Sequence, residues 1–308
     1  MTAAQNLLRQ SIDIRPIAGT IGAEIHGVDL SKPLSDDGFE AIHQAFLEYL
    51  VIFLPNQAPL SPDRLKEFAD RFGEVDPAPF AYPLKMPLIE GHPEILNILT
   101  EATTRTINIG GFWHTDVTYR ERPNLGSVIY AKETPPFGGD TMFANQYLAY
   151  ETLTDGMKEM LLPMRAIHSS AMPHGQENAR FGSVAKDHAP SEDDRTFAAT
   201  GLEHTKVEII ETAHPVIRTH PETGRKSLYV NRAFTSHFEG MTIEESLPLL
   251  EILWAQGVRP EFTCRYRWSP DTVGVWDNRA TQHYAINDYY GHRRYMQRIS
   301  IHESSRPV

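Results

Sequence analysis

The chain has 308 residues, 41% of them hydrophobic and 10% aromatic, which suffices for one large domain with a sizeable core. A net charge of −11 excludes a nucleic-acid protein working through a basic face, but leaves room for a local basic pocket. The single cysteine, Cys264, excludes an internal disulfide and suits a reducing compartment.

The opening residues, Met1 to Asn6, show no cationic segment followed by an apolar core, so a cytoplasmic location is expected. The most apolar stretch, Phe46 to Leu54, is too short to span a bilayer. Alternation over Ile12–Ile17 and Gly22–Leu30 predicts two short strands. Ser35 opens a helix to about Tyr49, with Phe39, Ile42, Phe46 and Leu50 on one stripe. Val51–Leu54 is a short apolar strand. Ser61 and Pro62 form an N-cap and first helical position, and that helix runs to about Phe72.

From about Leu96 the pattern turns to strands, including Ser127–Ala131 and Asp140–Ala144. Leu148 to Leu162 reads as one helix. Residues from about 169 to 205 are polar and weakly periodic, and read as a lid or insertion in a single domain spanning 1–308. Strands resume at Ala213–Arg218 and Ser227–Val230. Thr242, with Glu245 three residues on, opens a helix to Gly257. Strands at Phe262–Trp268, Thr272–Trp276 and Tyr295–Ile301 complete a mainly β fold with flanking helices.

His114-Thr115-Asp116 is the most informative motif. With fourteen histidines in the chain, an isolated His-x-Asp arises by chance, and its commoner role is surface or capping chemistry. Three His-x-Glu cases compete: His92–Glu94, His220–Glu222 and His237–Glu239. His114 differs in its setting, a glycine pair (Gly110, Gly111) entering a β-prone run. Residues two apart on a strand share a face, so His114 and Asp116 are expected to converge, with Thr115 turned away. His283 follows the predicted strand Thr272–Trp276 and supplies a second imidazole. Two histidines and one carboxylate suit iron(II) with open coordination positions.

Arg293, Arg294 and Arg298 come next. In a strand, residues 294, 296, 298 and 300 share a face, so Arg294 and Arg298 point inward and Arg293 outward. A buried guanidinium needs an anion. Either an internal carboxylate or an anionic co-substrate meets that need.

At these residues the chain resembles the taurine dioxygenase / phenoxyalkanoate dioxygenase family of Fe(II)- and 2-oxoglutarate-dependent oxygenases. The likeness rests on Trp113–Asp116, Gly138–Thr141, His214–Pro221, Trp276–Ala285 and the Arg294/Arg298 spacing, and runs from about Ile14 to Ile301. It implies a double-stranded β-helix, or jelly roll. It implies iron(II) on His114, Asp116 and His283, and the distal carboxylate of 2-oxoglutarate on Thr141 and Arg294. Arg298 matches a position near co-substrate and substrate anion. The retained Asp116 argues against halogenation.

The chain departs from taurine dioxygenase in the substrate region. The segment after Phe72-Gly73-Glu74 has no histidine, and Gly110 replaces a polar residue. An aryloxyalkanoate-like carboxylate is therefore favoured over taurine, with Phe80, Tyr82, Phe112 and the His168–Phe181 segment as candidate pocket walls beside Arg298. The expected reaction consumes molecular oxygen, releases succinate and CO2, and hydroxylates a small anionic substrate. Where the hydroxylated carbon bears oxygen, nitrogen or sulfur, that bond then breaks. The family implies a dimer or tetramer. A zinc hydrolase and a non-catalytic jelly-roll binding protein stand as alternatives.

Overall fold

The computed structural model describes residues 12–77, 88–104, 110–171, 174 and 209–308. Among them, one large sheet holds β1 (Asp13–Pro16), β2 (Ala23–His26), β3 (Val51–Leu54), β4 (Leu88–Ile89), β5 (His92–Thr100), β6 (Gly126–Glu133), β14 (Thr272–Asp277) and β16 (Arg294–Ile301), in the order β1-β2-β3-β14-β6-β16-β5-β4. A smaller sheet places β7 (Thr141–Asn145) between β13 (Thr263–Tyr266) and β15 (Thr281–Ala285). Two further sheets pair β12 (Thr235–Phe238), β8 (Arg165–Ser169) and β9 (Glu211–Pro215), and β10 (Ile217–Thr219) with β11 (Lys226–Leu228). This is the expected jelly roll.

Both faces of the large sheet are covered, so β3 is buried at every residue. Ile52 and Leu54 pack outward against α1 (Asp36–Tyr49) and α2 (Pro62–Asp70), beside Phe46, Leu65 and Phe68. Val51 and Phe53 face the smaller sheet and meet Phe143, Tyr266 and Trp268. The same alternation sorts β16. Ile299 and Ile301 join the outer core, while Met296 joins the inner one. The inner face is where Arg294 and Arg298 lie, both buried; Arg293 is at the surface, paired with Glu101 and Glu133. The inward arginines thus follow from strand alternation, as the sequence predicts.

Several elements differ from expectation. The helix predicted over Leu148–Leu162 is two: α3 (Gln146–Glu151), capped by the Asn145 side chain, and α4 (Asp155–Leu161), capped by Thr154. Capping oxygens bind free amides at a helix start, so Thr154 begins a new helix rather than continuing the old one. The strand expected over Ala213–Arg218 divides at Val216, because Pro215 has no amide to donate and the two halves pair with different partners. Strands β8 and β12 were missed: β8 abuts the polar stretch, and β12 is only four residues long. Most of the expected insertion at 169–205 lies outside the described residues.

A third core joins β8, β10 and β11 to α5 (Ile243–Gly257). Its Thr242 cap and Glu245 form the reciprocal capping box. Thr242→Ala is expected to lower unfolding free energy by about 1 kcal/mol, read as a shift in denaturant midpoint at unchanged m-value. Cys264 is buried in the inner core, and burial pushes its thiol up to about 12, consistent with a structural role. No helix among the described residues is long and apolar enough to cross a membrane.

Candidate active site

His114, Asp116 and His283 come together beside β15 of the smaller sheet, all buried, with one donor atom from each within 4.8 Å of the others. Among the described residues they form the one such group of three. Asp116 Oδ1 lies 3.6 Å from His114 Nε2 and 3.7 Å from His283 Nε2. The competing motifs do not join it. His92 contacts Glu94 and Asp63 near the surface, and His220 is buried against Asp277 at 3.0 Å.

The route to convergence differs from the predicted one. His283 sits in the middle of β15, not past a strand end. His114 belongs to no extended strand. It makes one antiparallel bridge to His283, through backbone hydrogen bonds of 3.1 and 2.8 Å in the two directions. The chain then turns, and Val117 takes φ +44°, a strained left-handed conformation for a β-branched residue. Asp116 stands at the start of this turn, beside His114. Thr115 faces away, its hydroxyl donating to the Thr281 carbonyl at 2.7 Å. Beneath the turn, Thr118 is gripped by His168 at 2.9 Å and Asn231 at 3.2 Å. His168, expected as a pocket wall, is fully buried in that support instead. Gly110 is needed here: it has φ +73°, and a Cβ would lie 3.3 Å from His114 Cε1.

The ionisation states suit metal coordination. Burial pushes the His114 imidazole below its ordinary range, against the pull of Asp116. His283 is pushed well below, by burial and then by His114. Both rings are therefore neutral at physiological pH. Burial acts to raise Asp116, but Arg298 and the two imidazoles outweigh it and hold the carboxyl below the usual range, ionised. The His114 Nδ1–H donates to the Phe112 carbonyl at 2.8 Å, which leaves the Nε2 lone pair facing Asp116 and His283.

The second carboxylate oxygen of Asp116 is occupied by Asn278 at 3.1 Å and by Arg298. Arg298 is itself fixed by Ser127 at 2.8 and 3.1 Å and lies over the Trp276 ring. Sequence reading missed Asn278 and Ser127 as supports; Asn278 lies inside the Trp276–Ala285 motif, whereas Ser127 carries no local signal.

Arg294 stands apart from the other deeply buried arginines. Arg218 pairs with Glu303, Arg279 with Asp277 and Glu222, and Arg298 with Asp116. Among the described residues no carboxylate lies within 4.0 Å of Arg294, and its Nε is buried without a hydrogen-bond partner. Burial lowers its pKa, with Tyr289 and Asp140 acting the other way. Asp140 is already bound by Arg265 at 2.6 Å. Gly139 makes room for the guanidinium: a Cβ there would sit 3.3 Å from Arg294 Cδ and Nε. Thr141, buried at the start of β7, accepts a hydrogen bond from Trp268 Nε1 at 2.9 Å.

An apolar group flanks the triad. Phe112 packs on His114 with ring centroids 4.9 Å apart, and Phe234 stands edge-on at 6.4 Å. Val117 and Tyr119 complete this cluster. Phe234, Val117 and Tyr119 escaped sequence reading, since nothing local separates them from ordinary core. Phe80 and Tyr82 lie outside the described residues.

Comparison with known proteins accords with this arrangement. The sequence profile of the family described as "Taurine catabolism dioxygenase TauD, TfdA family" matches residues 13–300. The alpha-ketoglutarate-dependent sulfate ester dioxygenase of Pseudomonas putida is 34% identical over 293 residues, 94% of this chain and 89% of that protein. The (S)-phenoxypropionate/alpha-ketoglutarate-dioxygenase of Sphingobium herbicidovorans is 29% identical over 280 residues, 89% of each. The crystal structure of a taurine dioxygenase from Burkholderia xenovorans superposes with a TM-score of 0.76 at 32% identity, covering 97% of this chain and 91% of that one. The chain belongs to the TauD, TfdA family of 2-oxoglutarate-dependent dioxygenases.

Proposed function

We propose that His114, Asp116 and His283 hold iron(II), that Arg294 and Thr141 hold the distal carboxylate of 2-oxoglutarate, and that the enzyme hydroxylates a small organic anion at a carbon bearing oxygen. The observation that carries the reading is the buried Arg294 guanidinium, without a carboxylate partner among the described residues, in the same interior as a neutral-imidazole, ionised-carboxylate triad. Burying a lone cation is costly, and a dicarboxylate co-substrate relieves that cost. When bound, iron and 2-oxoglutarate supply the oxygen chemistry: co-substrate is decarboxylated to succinate and CO2 as substrate is hydroxylated.

The chain's own residues position and exclude. Phe112 and Phe234 seat the apolar part of the substrate beside His114 and keep water away, with Phe80 and Tyr82 proposed as further walls. Arg298 restrains the outer oxygen of Asp116, so that Oδ1 faces the imidazoles. Sulfate esters and phenoxypropionate, named for the two relatives, share an anionic group and an oxygen-bearing carbon. Hydroxylation at such a carbon gives an unstable adduct that releases the oxygen substituent, so C–O cleavage is the proposed net outcome. We propose further that the enzyme works in the cytoplasm as a dimer or tetramer. Family membership favours this reading over a zinc hydrolase or a non-catalytic binding protein.

The test is anaerobic titration of the iron(II)-loaded protein with 2-oxoglutarate. A weak visible metal-to-ligand charge-transfer band is expected, saturating at one equivalent. Its absence from folded, iron-loaded protein would overturn the assignment of these residues.

A further inference from the structure

The described residues line a half-open cavity of about 320 Å³, on the other face of the strand that carries His283. Along β15 side chains alternate, so Gln282 and Tyr284 point away from the triad, and both line this cavity. Trp113, the neighbour of His114, stands edge-on to Tyr284 with ring centroids 5.8 Å apart. Trp254 of α5 and Arg232 form the opposite wall.

Two donor groups in this wall lack acceptors. Trp254 is only 5% exposed, and its Nε1 has no hydrogen-bond partner among the described residues. The Nε of Arg232 is likewise buried and unpartnered, while its guanidinium lies 5.2 Å from the centre of the Trp254 ring. Indole and guanidinium nitrogens only donate, so neither can satisfy the other. Glu251, on the exposed face of α5, lines the same cavity, yet no ion pair joins it to Arg232. The volume is that of a small-molecule pocket, roughly 300–1,000 Å³.

We propose that this cavity is a binding site for a small aromatic monocarboxylate, separate from the iron and 2-oxoglutarate site. The carboxylate is received by Arg232 and Trp254 Nε1, and the ring lies against Trp113 and Tyr284. Glu251 places a negative charge in the cavity and so selects monoanions over dianions such as 2-oxoglutarate. The site needs no metal, and its occupancy can be measured without any step of the oxygenase reaction.

The experiment is calorimetric titration of the full chain with benzoate in excess EDTA, on wild type, Arg232→Ala and Arg294→Ala. Benzoate is expected to bind one site per chain, about tenfold or more weaker in Arg232→Ala and unchanged in Arg294→Ala, with no saturable binding of neutral benzamide. Should Arg232→Ala fail to fold, Trp254→Phe removes the indole donor while keeping an aromatic ring and is expected to weaken benzoate severalfold. The proposal is overturned if millimolar benzoate gives no saturable binding or if benzamide binds equally. It is also overturned if affinity survives loss of Arg232 or Trp254 Nε1, or falls only with Arg294→Ala, which would put benzoate in the co-substrate clamp. A retained oxygenase reaction beside a negative titration would sink this site without touching the iron site.

Discussion

His114→Ala and His283→Ala each bring substrate-dependent succinate release to background while leaving the far-ultraviolet circular dichroism of the protein unchanged. Each ring is one of three donors in a group whose carboxylate lies 3.6 and 3.7 Å from the two imidazoles, and no other group of three donors stands near enough among the described residues to replace it. Asn278→Ala gives a graded contrast. It removes a support of Asp116 rather than a donor, so a loss of about 10–100-fold in metal affinity or turnover is expected. The measurements are iron content after gel filtration and succinate yield with and without substrate. Near wild-type turnover in either histidine variant would remove that residue from the metal site.

Arg294→Ala is expected to act on the co-substrate alone. A charge-assisted hydrogen bond contributes about 1.5–3 kcal/mol, so the KM for 2-oxoglutarate should rise by roughly 10–100-fold. Folding stability should move the opposite way from that of most buried truncations. Arg218 and Arg279 are held by carboxylates, so their loss strands a buried negative charge, whereas Arg294 has no such partner among the described residues. Thermal denaturation without 2-oxoglutarate should show a midpoint equal to or above that of the wild type. The wild type, but not the variant, should gain stability as 2-oxoglutarate is added with iron(II). An unchanged KM would take Arg294 out of the clamp.

What was legible in the sequence follows from the range of the interactions involved. Caps such as Ser35, Ser61 and Thr242 act within three residues and were readable. The inward pointing of Arg294 and Arg298 was readable because alternation along a strand is a local rule. The break after Glu151 turned on whether Thr154 would cap or continue, a choice that periodicity alone does not make. The pairing of His114 with Asp116 and the turning away of Thr115 were readable, but the turn at Val117 was not: Thr118 there meets His168 and Asn231, which lie far along the chain. Whether a buried arginine is spoken for is also a long-range property. Glu303 answers Arg218 across 85 positions, and nothing in the sequence says that no carboxylate answers Arg294.

With the metal held as proposed, the reciprocal backbone bridge between His114 and His283 has a consequence for how the protein loses it. The gap between the two imidazoles is a spacing of neighbouring chains, held by amide and carbonyl groups that have no stake in whether an ion is present. Metal removal should therefore leave an empty but intact socket, ready to refill without rearrangement. Heating should do the reverse: the socket persists while the small sheet stands and vanishes with it in one step. Iron affinity in this protein is then an all-or-none inheritance from the sheet, and a destabilising change away from the site, among Phe46, Leu65 and Phe68 of the outer core, would lower the temperature at which iron escapes without altering how tightly it is held below that point.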